Sequence, residues 1–332
     1  MKAIALISGG LDSILAARII KEEGIDVLPL NFKIPFFQRK KPGKPVDAIN
    51  LFVREVLSEE LMTVDVSNDF LGLLLNPKHG FGSNMNPCID CKIFMLRKAK
   101  ELMPGLGAQF VVTGEVLGQR PMSQHRRALE AIAEESGLAG LLLRPLCAGI
   151  LPETIPEKEG WVKRERLFKF NGRTRKPQME LAGKFNIGSY PNAAGGCLLT
   201  DIQFSVRLRD LISHKSLNIG DVALLKIGRH FRLTGNAKLI VGRNEEENAI
   251  LEASALKGDY LFLPNPELAG PACLGRGEFS NELISLSARV ACYYCDLNAA
   301  KSARIIYYKP GEGQSEMEAT PIDEDELKPL RL

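Results

Sequence analysis

The sequence predicts an α/β protein with a doubly wound parallel sheet, followed by a smaller C-terminal α+β domain. Strand-like and helix-like patterns alternate at short spacing up to about residue 113, which is typical of a parallel sheet. The first apolar run, residues 3–7, is continuous, as expected for a strand buried on both faces. From about residue 217 short strands follow one another, and this change of pattern indicates a second domain.

The elements of the first domain follow the strand at residues 3–7 in order. A helix is expected at residues 12–23, because its apolar residues share one broad face and Gly24 is a plausible helix stop. The remaining elements are expected as strands at 25–32, 61–66 and 109–113, and as helices at 46–60 and 89–103.

The second domain is expected to carry several short strands, one long helix and a final strand. The strands are expected at 222–227, 231–233, 238–241, 260–263 and 304–308, and the helix at 279–296. The acidic tail from Gly311 is expected to be loose. The predicted boundaries give a domain at 1–160, a basic connecting segment at 161–215 that carries Cys197, and a domain at 216–332.

Composition excludes some classes of protein and leaves others open. A chain of 332 residues suggests two or three domains, and an apolar content of 45% is ordinary for a globular protein. No apolar run approaches the roughly 20 residues of a membrane span, and the chain starts directly in a strand, so we expect no membrane segment, no signal peptide and a cytoplasmic location. The net charge of +3 neither demands nor excludes nucleic acid.

The segment from Ser8 to Ser13 reads Ser-Gly-Gly-Leu-Asp-Ser and joins the first strand to the first helix. Gly9 and Gly10 allow the backbone to turn N–H groups inward, and the helix start adds partial positive charge, so the loop suits a pyrophosphate. The Walker lysine pattern is absent, and Asp12 is therefore interpreted as a helper for Mg²⁺ on the phosphates. The alternative is a glycine turn followed by an Asp helix cap.

Three cysteines form the second candidate site. Cys88 and Cys91 stand three positions apart at a helix start, where thiol pKa values are lowered, and Cys197 follows the glycine pair 195–196. The three thiols could ligate three irons of a [4Fe–4S] cluster, whose open iron could hold hydrosulfide. Alternatively, Cys88 and Cys197 could act as a persulfide carrier and its resolving partner. Structural zinc, with His79 as a further ligand, stays open as well.

The remaining cysteines and one basic segment have simpler interpretations. The chain has seven cysteines, and this odd number argues against complete disulfide pairing. Cys292 and Cys295 lie in an apolar helical pattern and are interpreted as buried small hydrophobic residues. Residues 161–176 hold seven Lys or Arg against one Glu and could neutralise RNA phosphates together with Arg126, Arg127 and Arg144, although a charge run is usually a solvated face.

The segment from Ser8 to Ser13 resembles the PP-loop of ATP pyrophosphatases, which adenylate a carbonyl-type oxygen and release pyrophosphate. With the three cysteines, the chain resembles the tRNA thiolation enzymes, which include the tRNA 4-thiouridine synthetase and the tRNA 2-thiouridylase. The resemblance covers about residues 1–205. It rests further on Asn86-Pro87-Cys88, on Thr113-Gly114-Glu115-Val116-Leu117-Gly118-Gln119 with Ser123-Gln124, and on Leu143-Arg144-Pro145-Leu146.

This resemblance implies an ATP-dependent tRNA sulfurtransferase that adenylates a uridine carbonyl oxygen and then inserts sulfur with release of AMP. It implies Cys88 and Cys197 as the catalytic pair, and all three cysteines as ligands where a [4Fe–4S] cluster is present. The implied ATP-binding residues are Ser8, Gly9, Gly10, Asp12, Ser13, Gly114 and Gln119. The implied partners are tRNA and a sulfur donor, which is sulfide or a persulfide-carrying desulfurase.

The C-terminal domain carries a second resemblance. Residues 238–248, with Val-Gly-Arg-Asn followed by a further Asn, are similar to a signature of the NFACT RNA-binding domain, and the helix at 288–295 resembles its Ala-Ala-Tyr-Tyr segment. The chain has Asp-Tyr-Leu-Phe-Leu at 259–263, where that domain usually has a Trp and a His. The resemblance implies RNA binding, and the alternative is a structural appendage.

Two other classes of function remain open. A small-molecule ATP pyrophosphatase or ligase would use the same loop without needing Cys88, Cys91 and Cys197 together. A noncatalytic RNA-binding or sulfur-carrier protein would need neither the pyrophosphate loop nor Asp12.

Overall fold

The computed structural model describes residues 1–37, 48–188, 190–191, 197–298 and 300–332. These residues divide into two compact units, Met1–Thr200 and Asp201–Leu332. The glycine pair 195–196 and the first two residues of the helix expected at 46–60 lie outside the described residues.

The segment expected to connect the two domains is divided between the units. Residues 161–200 belong to the first unit, because Val162, Leu167 and Leu181 are buried in its hydrophobic core. The rest of the segment, from Asp201, belongs to the second unit.

The first unit contains a five-stranded sheet in the order β3-β2-β1-β4-β5, and all its strands are parallel. The strands are β1 (Lys2–Leu6), β2 (Asp26–Lys33), β3 (Met62–Asp65), β4 (Phe110–Val112) and β5 (Leu142–Leu143). The helices are α1 (Leu11–Glu22), α2 (Ala48–Leu57), α3 (Ser67–Leu75), α4 (Cys88–Leu106), α5 (Arg126–Glu135), α6 (Ile155–Lys158) and α7 (Lys176–Lys184). The predicted doubly wound parallel sheet is confirmed.

Helices pack in two groups in the first unit. Helix α1 contacts α2 and α7, while α4 contacts α3 and α5. Ala3 and Ala5 of β1 join the core around α1, whereas Ile4 between them is buried outside that core. This alternation is what a strand covered on both faces requires, and it explains the continuous apolar run.

Strand β1 marks the place where a ligand is expected. The chain leaves β1 to form β2 on one side and later forms β4 on the other side. Such a switch of direction opens a crevice at the carboxyl ends of the two central strands, and ligands of doubly wound sheets bind there. The loop after β1 and the loop after β4 therefore flank the candidate site.

The second unit contains a six-stranded sheet in the order β11-β10-β8-β9-β7-β6, with antiparallel neighbours throughout. The strands are β6 (Arg229–Thr234), β7 (Ala237–Val241), β8 (Tyr260–Pro264), β9 (Cys273–Gly277), β10 (Ala303–Tyr308) and β11 (Ser315–Ala319). The helices are α8 (Ile202–Ser213), α9 (Ile219–Leu224), α10 (Glu245–Ala253), α11 (Asn281–Tyr293) and α12 (Glu324–Leu327). The predicted C-terminal α+β domain is confirmed.

Two elements of the second unit differ from expectation. The strand expected at 222–227 is replaced by α9, which Asn218 caps by accepting a hydrogen bond from the Asp221 N–H at 2.9 Å. A short apolar run does not distinguish a strand from a buried helix, so the cap decides. The tail from Gly311 is ordered rather than loose, because β11 pairs with β10 and buries Ala319 while its two glutamates stay exposed.

Within the described residues, none of the helices combines the length and the apolar character that crossing a membrane would require.

Candidate active site

The loop after β1 is a tight turn closed by Ser13. The Ser8 N–H donates to Ser13 Oγ at 3.2 Å, and that hydroxyl donates to the Gly10 carbonyl oxygen at 2.8 Å. Gly9 has a φ of 76°, in the left-handed region that favours glycine. Gly10 is the N-cap of α1 and provides no side-chain cap, so first-turn N–H groups stay available for an anion.

Asp12 lies in the first turn of α1, and the alternative in which it caps the helix is therefore wrong. Its Oδ2 accepts a hydrogen bond of 2.8 Å from the Gln119 side chain, which comes from the loop after β4. Its Oδ1 is buried, lies 3.8 Å from Arg175 Nη2 and accepts no hydrogen bond among the described residues. A buried carboxylate oxygen without a hydrogen bond suits a bound cation.

Gly114 lies directly against the backbone of α1. A Cβ atom at this position would stand 2.3 Å from the carbonyl carbon and oxygen of Asp12 and 2.5 Å from the Ser13 nitrogen. Only glycine permits this approach, so Gly114 fixes the distance between the loop after β4 and the start of α1.

The cysteines reach the site from two segments of the first unit. Cys88 begins α4, and Cys91 follows one turn later. Cys197 forms an isolated antiparallel bridge with Phe37. The segment after Cys197 is tied to the residues before α4, because the Met85 N–H donates to the Leu199 carbonyl oxygen at 3.0 Å. These contacts bring the distant Cys197 towards the pair on α4.

The pKa values of all three thiols are raised above the ordinary value, and burial is the largest cause at each. Burial raises the pKa of Cys91, and charges on Cys197 and Cys88 raise it further. Burial also raises the pKa of Cys88 and of Cys197, while Arg120 opposes the rise at both thiols. The pKa lowering expected at a helix start is therefore wrong for Cys88 and Cys91, because desolvation of the thiolate outweighs the helix dipole.

The segment after β4 adjoins both candidate sites. Gln119 binds Asp12 of the pyrophosphate loop, and the next residue, Arg120, acts on Cys88 and Cys197. Asp12 and Gln119 are 107 positions apart in the sequence, whereas the fold brings them together at the carboxyl ends of β1 and β4.

A single-ion site is not formed by these side chains. Among the residues with described positions, no three His, Cys, Asp or Glu side chains are gathered closely enough to hold one metal ion. His79 bonds Glu135 through Nε2 at 2.9 Å, so its ring is engaged with α5. A cubane cluster instead takes one thiolate at each iron, so its ligands do not converge on one point.

Sequence reasoning missed an ion network beside the cysteines. The Glu115 carboxylate binds Lys92 of α4 and accepts a 2.9 Å hydrogen bond from Arg144 Nε. Arg144 is 7% exposed, so the expectation that it contacts RNA phosphates is wrong. Lys92 and Glu115 carry no pattern of their own in the sequence, since only the fold brings α4 next to the end of β4.

The basic segment at 161–176 is only partly available for a ligand. Arg164 pairs with Glu157 and Arg166 with Glu23. Within this segment, the exposed Lys and Arg side chains that form no ion pair with described residues are those of Lys163, Lys169, Arg173 and Lys176.

Aromatic and cationic side chains also meet on the second unit. The Arg229 guanidinium lies 4.6 Å from the centre of the Tyr294 ring, and Tyr293 packs edge-on against Tyr294 with 37% of its surface exposed.

Cys292 is buried and its thiol donates to the Ala319 carbonyl oxygen, while the Cys295 thiol donates to that of Ala291, as expected for packing residues.

Comparison with known families matches each unit separately. Residues 1–155 match the family described as thiamine biosynthesis protein (ThiI), and residues 228–331 match the NFACT protein RNA binding domain. The chain thus contains a ThiI-type PP-loop domain and an NFACT-type RNA-binding domain, and the resemblances drawn from the sequence are confirmed.

Curated relatives cover part of the chain. A probable tRNA sulfurtransferase of Methanosarcina mazei is 29% identical over 36% of this chain and 29% of its own length. The tRNA-specific 2-thiouridylase MnmA of Petrotoga mobilis is 30% identical over 35% of both chains. The matched region therefore spans about a third of these relatives. A crystal structure of a 4-thiouridine synthetase–RNA complex with bound ATP gives a TM-score of 0.38 at 20% identity, over 68% of this chain and 52% of the other.

Proposed function

We propose that this protein is an ATP-dependent tRNA sulfurtransferase, which adenylates a uridine carbonyl oxygen and then replaces that oxygen with sulfur. The observation that carries the proposal is the segment after β4, which binds Asp12 of the pyrophosphate loop through Gln119 and binds Lys92 of the cysteine-bearing helix α4 through Glu115. An activation site beside a thiol centre is what a sulfur-inserting enzyme requires, and the relatives named above support the substrate class.

ATP would lie with its phosphates on the loop after β1. The uncapped first turn of α1 offers N–H groups to the phosphates, and Ser8 and Ser13 line the same turn. The buried Asp12 Oδ1 without a hydrogen bond fits a Mg²⁺ ion that neutralises the pyrophosphate. The other residues assigned to the nucleotide are Gly9, Gly10, Gly114 and Gln119.

Gln119 would hold the Asp12 carboxylate in position. Its amide donates to Oδ2, so Oδ1, which accepts no hydrogen bond among the described residues and lies 3.8 Å from Arg175 Nη2, would be the oxygen that faces the metal. Gln178, which is fully buried, reaches Gln119 Oε1 at 3.5 Å from the opposite side. This arrangement restricts the carboxylate to one orientation, as preorganised groups around a metal commonly do.

The three thiols would carry or bind the sulfur. Cys88, Cys91 and Cys197 would be the three ligands of a [4Fe–4S] cluster, because Cys88 and Cys91 lie one turn apart on α4 and the segment after Cys197 is hydrogen-bonded to the residues before that helix. Such a cluster, when bound by three thiolates, supplies an open iron at which sulfide can be held. Without a cluster, the persulfide alternative uses Cys88 and Cys197 as the catalytic pair, with sulfur delivered by a persulfide-carrying desulfurase.

The reaction follows from these positions. The uridine oxygen attacks the α-phosphate of ATP, and the bond to pyrophosphate breaks while the loop and Mg²⁺ stabilise the leaving charge. Sulfide, or the terminal sulfur of a persulfide, then attacks the activated ring carbon and AMP leaves. In the persulfide case the second thiol releases the product by forming a Cys88–Cys197 disulfide, which an external thiol must reduce.

RNA would be held by the second unit and by exposed cations of the first. Residues 228–331 match an RNA-binding domain, and Lys163, Lys169, Arg173 and Lys176 are exposed. Single-stranded bases must unstack to reach such a site, and aromatic side chains such as Tyr293 suit their stacking. A cytoplasmic location follows from these substrates.

Nucleoside mass spectrometry is the direct test. A strain without this protein should lack one thiouridine in its tRNA, and the purified protein should restore it with ATP, Mg²⁺ and either sulfide, for the cluster route, or a persulfide-charged desulfurase with a reducing thiol, for the persulfide route. Asp12→Ala should abolish pyrophosphate release, whereas Cys88→Ala and Cys197→Ala should abolish thiolation but still bind ATP. Cys295→Ser, which alters a thiol of the second unit, should thiolate normally.

Two outcomes would refute the proposal. If the Cys88 and Cys197 variants modify RNA at the wild-type rate, the thiols are not used, and a ligase activity on a small molecule fits better. If ATP is neither bound nor cleaved in the presence of any RNA, the protein is not an adenylating enzyme at all.

A further inference from the structure

We propose that Glu115 is a positioning residue that locks the cysteine-bearing helix α4 to the nucleotide-binding edge through Lys92. The inference rests on the proposed function, since it concerns the distance between the activated base and the attacking sulfur. No contact of Glu115 with substrate is required; its effect passes through Lys92 and Gly114.

On the nucleotide side, Glu115 is the direct neighbour of Gly114. The backbone of Gly114 is pressed against Asp12 and Ser13, with no room for even one added carbon atom. A movement of Glu115 is therefore transmitted to the first turn of α1, where the phosphates are expected.

The Glu115 carboxylate is held on several sides. Lys92 binds Oε1, Arg144 Nε donates to Oε2 at 2.9 Å, and the Thr113 hydroxyl donates to Oε2 at 3.2 Å. The Glu115 side chain is 8% exposed. Arg144 is itself fixed, because its Nη2 donates to the Leu129 carbonyl oxygen at 3.0 Å. Ion pairs in such surroundings are rigid, since breaking one leaves an uncompensated buried charge.

On the sulfur side, Lys92 belongs to the same helix turn as the cysteines. It follows Cys91 directly and stands four positions after Cys88, so Lys92 and Cys88 share one face of α4. The contact of Lys92 with Glu115 therefore sets where this end of α4, and the Cys88 thiol with it, stands relative to the loop after β4.

Other contacts of α4 lead elsewhere in the first unit. Lys98 pairs with Asp69 of α3 at 3.0 Å, and Arg97 donates to the Glu135 carbonyl oxygen at the end of α5. These contacts hold the helix in the unit but do not reach the loop after β4. Lys98 is thus a matched control, because it lies on the same helix, is similarly exposed and also forms an ion pair.

The experiment compares Lys92→Met with Lys98→Met in single-turnover reactions with ATP, Mg²⁺, tRNA and whichever donor, sulfide or a persulfide-charged desulfurase, supports thiolation by the wild type. Pyrophosphate and thiouridine formed in the first turnover are both measured, together with the dissociation constant of ATP. For Lys92→Met we expect ATP binding and the pyrophosphate burst within twofold of wild type, and thiouridine formation slower by about 10- to 100-fold, because a misplacement of about 1 Å costs that much. Lys92→Arg, which keeps the contact with Glu115, should restore most of the rate.

Each result decides between the proposal and its alternatives. Lys98→Met should keep the wild-type ratio of pyrophosphate to thiouridine. If thiouridine formation slows as much in Lys98→Met as in Lys92→Met, the contact with Glu115 has no special effect on the thiols, and the proposal is overturned. A normal thiolation rate in Lys92→Met, or loss of ATP binding in it, would overturn the proposal as well. If the wild-type protein forms no thiouridine, the proposed function fails first, and the two failures are thereby distinguished.

Discussion

The contact between Gly114 and the start of α1 gives the sharpest prediction. In Gly114→Ala the added carbon atom would stand 2.3 Å from Asp12 backbone atoms, whereas ordinary contacts begin at 3.4 Å. The two backbones must separate by about 1 Å, or the helix start must tilt by a similar amount, and overpacking of this kind costs about 1–3 kcal/mol of unfolding free energy.

The effect on ATP binding should be about as large as the effect on stability. The displaced first turn carries the N–H groups expected to bind phosphate, and a hydrogen bond to a charged group contributes about 1.5–3 kcal/mol. We therefore expect ATP binding to weaken by roughly 10- to 100-fold, since each 1.4 kcal/mol is tenfold in affinity. The melting temperature should fall by roughly 2–4 °C for each kcal/mol lost.

Calorimetric titration with ATP and Mg²⁺, combined with thermal denaturation, measures both quantities. Gly183→Ala is the matched control, because Gly183 lies in α7 with nothing within 4 Å of its added carbon atom. The control should bind ATP normally and gain about 0.5–1 kcal/mol of stability from the lower helix cost of alanine. A Gly114→Ala protein that binds ATP within twofold of wild type would refute the assignment of this edge to the nucleotide.

Three further predictions follow from the site. Burial would raise the pKa of Glu115, but the charges of Lys92 and Arg144 outweigh burial and hold that pKa at about 2. The ionised Glu115 should therefore contribute its full stabilisation above pH 4.5 and lose it as the pH falls towards 2. Measured by unfolding at a series of pH values, Glu115→Gln should be less stable than wild type at pH 7, and the difference should disappear over this interval. Protein purified without oxygen should contain iron and acid-labile sulfide that Cys91→Ser loses; absence of both from wild type would remove the cluster and leave the persulfide route. For RNA binding measured against salt concentration, Lys169→Ala and Arg173→Ala should each lower the slope of log K against log salt by about 0.7, and unchanged slopes would mean that this segment does not touch phosphates.

The alternation of strands and helices in the first unit can be predicted from the sequence, because each strand and each helix has its own local pattern of apolar residues. The continuous apolar run before Ser8 indicates a strand buried on both faces, and the glycine pair after it indicates a turn into a helix. The strand prediction at 222–227 is wrong because this short apolar run has no period that distinguishes a helix from a strand, and the Asn218 cap that decides for α9 lies outside the run. The β11 strand was missed because its acidic residues are exposed on an edge strand, where charge is favourable.

The sequence by itself determined the chemical groups of this protein: a loop shaped for phosphate, a carboxylate within it, and three thiols. Tertiary structure alone decided how they combine. No local sequence pattern relates residues that are far apart in the chain, so the sequence does not indicate that Gln119 binds Asp12 or that Glu115 binds Lys92. Burial, a property of the folded chain, also reverses the pKa expected for Cys88 and removes Arg144 from the surface. The contact of Gln119 with Asp12 is thus a consequence of parallel strands ending together, because that geometry brings the loops after β1 and β4 to one place.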